Sequence, residues 1–267
     1  MSPRSYLFVP GDRAERFDKA CAAGADAVII DLEDAVTPER KAAAREAVRA
    51  WLAAGGRACV RLNGTDTEWF DDDCALLDLS GVVNVVLPKA ERADQLQRLA
   101  SRLRPGVRIV PIVETALGLW NALELAGAPG VERLAFGSVD FQLDCGILGD
   151  GEELLYARSR LVLASAIARI DAPVDGVTVA IHDAGQLQAD TRRARQLGFG
   201  AKLCIHPKQV VPVNHGFMPA EAEVTHARAI MAAVDAAAGV GVITLDGKLI
   251  DRPVIERARK ILERVTA

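Results

Sequence analysis

The stretch Ala27-Val28-Ile29-Ile30-Asp31-Leu32-Glu33-Asp34 decides the fold. Four apolar residues run together and then give way to carboxylates. A strand with one wet face alternates polar and apolar residues. An unbroken apolar run reads instead as a strand buried on both faces, the mark of a parallel sheet covered by helices. Val82-Val83-Asn84-Val85-Val86-Leu87 shows nearly the same pattern before Pro88-Lys89. Outward from these two, the candidate strands are Ser5–Val9, Ala27–Asp31, Ala58–Leu62, Asn84–Leu87, Arg108–Val113, Arg133–Gly137, Gly176–Ile181 and Ala201–Ile205. Helical patterns alternate with them: Glu15–Ala23, Glu39–Ala53 entered through Thr37-Pro38, Ala90–Leu103, Thr115–Leu125, Leu154–Ile170, Asp183–Leu197 and Ala220–Ala237. A shorter helical turn is expected within Glu68–Leu77.

Eight βα units in 267 residues predict the α/β class, as a closed (β/α)8 TIM barrel with a C-terminal helical extension. A doubly wound open sheet is the rival. It is disfavoured because Pro10-Gly11-Asp12-Arg13, after the first strand, lacks GxGxxG spacing. The expected division is a barrel domain at 1–238 and an extension at 239–267, with a helix over Val254–Arg264.

Composition narrows the function classes. With 32 Lys+Arg against 36 Asp+Glu, the formal net charge is −4 and no basic stripe for nucleic acid is visible. Apolar runs fall far short of the roughly 18 residues of a spanning helix. The five cysteines are scattered without CxxC spacing and read as free thiols of a reduced compartment. The N-terminus reaches Pro10-Gly11 without a long apolar core, so it is not read as a signal peptide and a cytoplasmic location is expected.

In a barrel, functional groups gather at the C-terminal ends of the strands. That rule collects Asp31, Glu33 and Asp34 from strand two, Arg61 from strand three, Lys89 from strand four, Glu114 from strand five, Asp140 after strand six, and His206 and Lys208 after strand eight. Clustered carboxylates repel unless a cation or protons sit among them. Glu114 and Asp140 come from neighbouring strand ends, and hard oxygen donors without His or Cys favour Mg2+. Arg61 suits two-pronged binding of a substrate carboxylate. Plainer readings make Asp31 and Asp34 helix caps, Arg61 a neutralising partner of Asp31 or Glu33, Lys89 a cap and His206 a structural hydrogen-bonding group. The run Asp71-Asp72-Asp73 reads as a solvated loop or helix start.

The ordered motifs Ser5-Tyr6-Leu7-Phe8-Val9-Pro10-Gly11-Asp12-Arg13, Ile30-Asp31-Leu32-Glu33-Asp34-Ala35-Val36, Val60-Arg61-Leu62-Asn63-Gly64, Leu87-Pro88-Lys89, Pro111-Ile112-Val113-Glu114-Thr115, Phe136-Gly137 with Asp140, and Cys204-Ile205-His206-Pro207-Lys208-Gln209 resemble the citrate lyase β-subunit-like family. That family also contains malyl-CoA and citramalyl-CoA lyases. Asp246-Gly247-Lys248-Leu249-Ile250-Asp251-Arg252-Pro253 resembles its C-terminal motif.

The resemblance implies Mg2+ held by Glu114 and Asp140, substrate contact by Arg61, and Arg13, Arg16 and Lys19 on the phosphates of a CoA or acyl-carrier thioester. It also implies a homotrimer in which the extension packs on a neighbouring subunit and brings Asp251 in trans. The implied reaction is cleavage, or formation, of a 3-hydroxyacyl thioester such as citryl-, malyl- or citramalyl-CoA, giving a 2-oxo acid and an acetyl-type thioester. Arg61 and Asp251 are then the catalytic pair, and backbone N–H groups of Gly137 and Ser138 hold the oxo-acid carboxylate. Asp31, Glu33, Asp34 and Lys89 surround them. Val139 stands where the family often has an acid, and strand seven, ending at Ala180-Ile181-His182, lacks the acidic segment expected there. Two alternatives stay open: a metal-dependent aldolase of free 2-oxo acids, and a citrate lyase complex subunit acting only on acyl-carrier-protein thioesters.

Overall fold

A computed structural model describes residues 2–236 and 243–266. The expected start of the extension at 239 lies outside the described residues. The strands β1 (Ser5–Pro10), β2 (Ala27–Asp31), β3 (Ala58–Arg61), β4 (Val82–Leu87), β5 (Arg108–Val113), β6 (Ala135–Phe136), β7 (Val174–Asp175) and β8 (Ala201–Cys204) close into a parallel barrel in sequence order. The barrel seals where β1 pairs with β8, Ser5 opposite Lys202 and Leu7 opposite Cys204.

The helices are α1 (Phe17–Cys21), α2 (Lys41–Ala53), α3 (Phe70–Cys74), α4 (Ala93–Ala100), α5 (Ala116–Trp120), α6 (Ala122–Ala126), α7 (Ser138–Cys145), α8 (Leu155–Ala168), α9 (Ala184–Leu197), α10 (Val210–Gly216), α11 (Glu221–Ala236) and α12 (Arg252–Thr266). None of the described helices is long and apolar enough to cross a membrane. Cys59, Cys74 and Cys204 are buried, Cys21 and Cys145 are exposed, and all five are free.

The strands' unbroken apolar character has a direct cause. Successive side chains on a strand point to opposite faces. Tyr6, Ile29, Cys59, Val86, Ile112, Ala135, Val174 and Leu203 pack together as the barrel interior. Their neighbours Leu7, Val28, Ile30, Val60, Val85 and Leu87 are equally buried on the other face. The period of two then places functional groups. Two residues beyond Ile29, Cys59, Ile112 and Ala135 come Asp31, Arg61, Glu114 and Gly137.

β7 departs from the expected span Gly176–Ile181. The strand is Val174–Asp175, and the Val-Thr-Val alternation after it is a loop. The backbone acceptors there are engaged by side chains instead of a neighbouring strand. The Lys202 ammonium donates to the Gly176 carbonyl (2.5 Å) and the Gln209 amide to the Thr178 carbonyl (2.8 Å). The strand therefore ends at buried Asp175, which accepts from Arg158 Nε at 2.9 Å. The expected strand end at Ala180-Ile181-His182 thus falls in the loop, and the carboxylate that does end the strand is turned away from solvent.

The chain divides into two compact units, Ser2–Asn214 and His215–Ala267. In the second, α11 and α12 flank a hairpin of β9 (Ile243–Leu245) and β10 (Lys248–Ile250). Asp246 and Gly247 turn it with φ of 50° and 74°. An Asp-Gly pair meets the positive φ that a tight hairpin turn demands. Ala227, Ile230, Ile250 and Ala258 form this unit's core.

Candidate active site

The C-terminal mouth of the barrel holds a cavity of about 390 Å³. Phe8, Ile112, Phe136, Val177 and Leu203 line it together with Asp31, Asp34, Arg61, Glu114, Gly137, Ser138 and Asp140.

Arg61 is held on two sides. Its Nε and Nη2 donate to the two oxygens of Asp31, both at 2.7 Å, and its Nη1 lies 2.8 Å from Glu33 Oε2. The guanidinium also stacks 4.8 Å from the centre of the Phe8 ring. Burial disfavours its charge, but Asp31, Glu33 and Asp34 outweigh burial and raise its pKa. The plainer reading of Arg61 as a partner of Asp31 and Glu33 is therefore correct as geometry. It also fixes Arg61 in the cavity wall.

Asp31 in turn caps its own loop, accepting from the Glu33 and Ala35 amides at 2.8 and 3.1 Å. Lys89 ties two sides of the mouth together. Its ammonium pairs with Glu33, and its backbone N–H, at a residue with φ of 48°, donates to Glu114 Oε1 at 2.7 Å. Asp34 stands at the exposed rim, 3.8 Å from Arg61.

Glu114 is 3% exposed. Burial pushes its pKa up to about 8, with Asp140 and Glu33 adding to the shift and the Lys89 amide opposing it. Asp140 belongs to the first turn of α7, a helix that the sequence pattern did not reveal. Gly137 is where this arrangement is tightest. A Cβ there would stand 2.3 Å from Glu114 Oε2 and 2.5 Å from Glu114 Cβ. The Gly137 N–H, expected to meet a substrate carboxylate, donates instead to the Val113 carbonyl at 3.1 Å. The Ser138 amide opens α7, where first-turn N–H groups lack partners within the helix.

Among the described residues no three His, Cys, Asp or Glu side chains converge as a metal cage. Glu114 and Asp140 do fit a hard cation. They repel each other, one is buried, and among the described residues no soft donor lines the cavity. Mg2+ commonly takes one or two carboxylates and completes its shell with water and substrate oxygens.

Sequence reasoning missed the layer behind Arg61. Lys41, buried, donates to the carbonyls of Leu32 and Glu33, both at 2.8 Å, and to Asn63 Oδ1 at 2.6 Å. Asn63 donates through its amide and side chain to Asp73 at 2.9 and 2.6 Å, and Asp73 also accepts from Arg45 Nε at 2.8 Å. Asp73, expected to be solvated with its two neighbours, is 1% exposed. Its partners come from distant elements.

Arg13, Arg16 and Lys19 are exposed on the β1–α1 turn and on α1. Arg13 lies 3.9 Å from Asp12 and Arg16 3.7 Å from Glu15. Asp251 belongs to the second unit, where its Oδ1 accepts from the Val254 amide at 3.2 Å and caps α12. His206 has a structural bond, its Nδ1 accepting from the Lys208 amide at 3.1 Å.

A closed parallel barrel with acidic groups from β5 and α7 beside a clamped arginine defines a class, and the HpcH/HpaI aldolase/citrate lyase profile matches residues 4–207. The chain belongs to that family. It is 40% identical over 276 residues to the citrate lyase subunit beta-like protein of Deinococcus radiodurans, covering 97% of this chain and 96% of that one. It is 36% identical over 271 residues to a (3S)-malyl-CoA thioesterase of Cereibacter sphaeroides, covering 99% and 95%. Its structure resembles that of CitE from Mycobacterium tuberculosis in complex with magnesium, acetoacetate and coenzyme A. The TM-score is 0.88 at 33% identity, with 99% of this chain and 98% of that chain covered.

Proposed function

We propose that this chain is a Mg2+-dependent carbon–carbon lyase that cleaves, or forms, a 3-hydroxyacyl thioester such as citryl-, malyl- or citramalyl-CoA, giving a 2-oxo acid and an acetyl-type thioester. The observation that carries the reading is the meeting of Glu114, Asp140 and the clamped Arg61 in one cavity. The CitE complex with magnesium and coenzyme A supports it.

Glu114 and Asp140 would hold the cation, which supplies Lewis acidity at the substrate's hydroxyl and carboxylate oxygens. The Ser138 amide would share the carboxylate, at a helix N-terminus that favours negative charge. Arg61 would donate to the thioester oxygen as it gains enolate character. Its bonds to Asp31 and Glu33 hold it in place without reorganisation. Lys89, through its amide, keeps Glu114 turned toward the cavity. Arg13, Arg16 and Lys19 would meet the phosphates of the thioester carrier. The hydroxyl proton would be released to solvent as the oxo acid forms. The proton that converts the enolate to the acetyl-type product would come from Asp251 of a neighbouring copy, which regains one from solvent. A homotrimer is the proposed assembly. Supporting self-association, Trp120, Leu123, Tyr156, Leu163 and Ile167 of α5, α6 and α8 are exposed. They stand on helices that pack against one another, and large exposed apolar side chains grouped in this way suit an interaction face.

Purified protein is assayed with the three CoA thioesters, following 2-oxo acid and acetyl-CoA together. Both products should appear in equal amounts. Glu114→Ala and Asp140→Ala should abolish them while the circular dichroism spectrum stays unchanged. Release of free CoA and hydroxy acid without any 2-oxo acid would overturn the lyase assignment, as would full activity in either variant.

A further inference from the structure

We propose that the cavity selects a 2-oxo acid with one carboxylate and only a hydrogen or methyl beyond the carbonyl, and rejects one bearing a second, distal carboxylate. This rests on the lyase reading and names the oxo acid that the site handles. Size does not make the choice, because a cavity of about 390 Å³ has room for either skeleton. Polarity does.

The floor of the cavity is apolar. Ile112 and Leu203 belong to the barrel core, and Phe8 and Val177 pack against it. Val139 and Ile205 continue the apolar lining toward the exterior, 48% and 38% exposed. Among the described residues lining the cavity, Arg61 is the one cation. Asp31 and Glu33 already hold it, at 2.7 and 2.8 Å. Asp31, Asp34 and Asp140 line the same space and outnumber that one cation, so its fixed charge is negative before any ligand enters even with the Glu114 carboxyl protonated.

Glu114 and Asp140 would hold a divalent cation that offsets their charge, and one substrate carboxylate would then find a place near the Ser138 amide. A second carboxylate would find no unpaired cation among the described lining residues. It would meet Val139, Val177 or Ile205, which offer no side-chain donor, or Asp34, where the neighbouring Lys89 ammonium is already paired with Glu33. An anion in apolar surroundings without a partner is strongly disfavoured. A hydrogen or methyl in the same position fits the lining and gains from burial.

The test is calorimetric titration of the full chain, with saturating Mg2+, by pyruvate, glyoxylate and oxaloacetate. Pyruvate or glyoxylate should bind at least about tenfold more tightly than oxaloacetate, the least that one uncompensated charge imposes. Val177→Lys should narrow or reverse that ratio. Val139→Lys, at a more exposed position, serves the same purpose should the first variant misfold. Oxaloacetate binding as tightly as pyruvate overturns the selection and leaves the lyase reading standing. A folded lysine variant with an unchanged ratio also overturns it. Failure of all three oxo acids to bind overturns the lyase reading and this selection together.

Discussion

Replacing Lys41 with methionine should destabilise the barrel by about 3 kcal/mol, and the figure can be worked from its partners. The ammonium serves three acceptors at 2.6 to 2.8 Å. The Glu33 carbonyl keeps a second donor, the Val36 amide at 3.0 Å. The Leu32 carbonyl and Asn63 Oδ1 would lose the donor described above. Leaving a buried acceptor unsatisfied costs about 1–3 kcal/mol. Two such losses, less roughly 1 kcal/mol recovered by burying methionine's apolar end, give about 3 kcal/mol. For a unit of this size that lowers the midpoint of thermal unfolding by roughly 6–12 °C. Urea titration followed by circular dichroism measures the loss as a shift in midpoint at constant slope. The same loop carries Asp31 and Glu33, so turnover should fall as Arg61 loses its clamp, and Lys41→Arg should recover part of both effects. A folded Lys41→Met protein that loses less than about 0.5 kcal/mol would refute the reasoning, because surface substitutions cost no more than that.

In the metal-free protein, the raised pKa of Glu114 makes its carboxyl neutral near pH 7. A carboxyl whose folded pKa lies above its ordinary 4.5 stabilises the fold at acid pH and loses that contribution as pH rises through about 8. Cation binding must displace the proton. Calorimetry in two buffers at pH 7 should register release of about 0.9 proton per Mg2+, falling toward zero above about pH 9; no release at pH 7 would contradict it. Gly137→Ala should cost about 1–3 kcal/mol of stability and weaken Mg2+ binding sharply, since the new methyl meets both ends of a buried Glu114 side chain. Calorimetric titration of Mg2+ into that variant checks the second effect, with unchanged affinity the contrary result. Trp120→Glu combined with Ile167→Glu should reduce the mass seen by light scattering to that of one chain; an unchanged mass would remove this face from the assembly.

The barrel was legible because its cause is local. Strands buried on both faces must be apolar throughout, and Ala27–Asp31 and Arg108–Val113 have the bounds that their apolar runs suggest. The rule that functional groups gather at the C-terminal strand ends placed Asp31, Arg61 and Glu114 at the mouth, and the period of two turns them to the same side as the interior Ile29, Cys59 and Ile112. Failures began where the decisive partner lies far along the chain. Val177-Thr178-Val179 has the alternation of a strand, and only Lys202 and Gln209, contributed from β8 and beyond, show why it is a loop. Asp71-Asp72-Asp73 looks uniformly wet until Asn63 and Arg45 take the third carboxylate inward. α7 escaped notice because Ser138–Cys145 has no clear apolar stripe, with Val139 and Leu143 both exposed. The site is thus a ring of groups from separate strands joined by long-range pairs, Asp31 with Arg61, Glu33 with Lys89, and Lys89 with Glu114. Each pair neutralises or orients the next, so removing one member leaves a buried charge exposed to its like-charged neighbours. That coupling predicts non-additive substitutions around the mouth. Glu33→Gln and Lys89→Met, each harmful alone, should together lower turnover by much less than the product of their separate effects. Strictly multiplicative losses in the double variant would mean that the two side chains act independently, and that the ring is a list of neighbours and not a circuit.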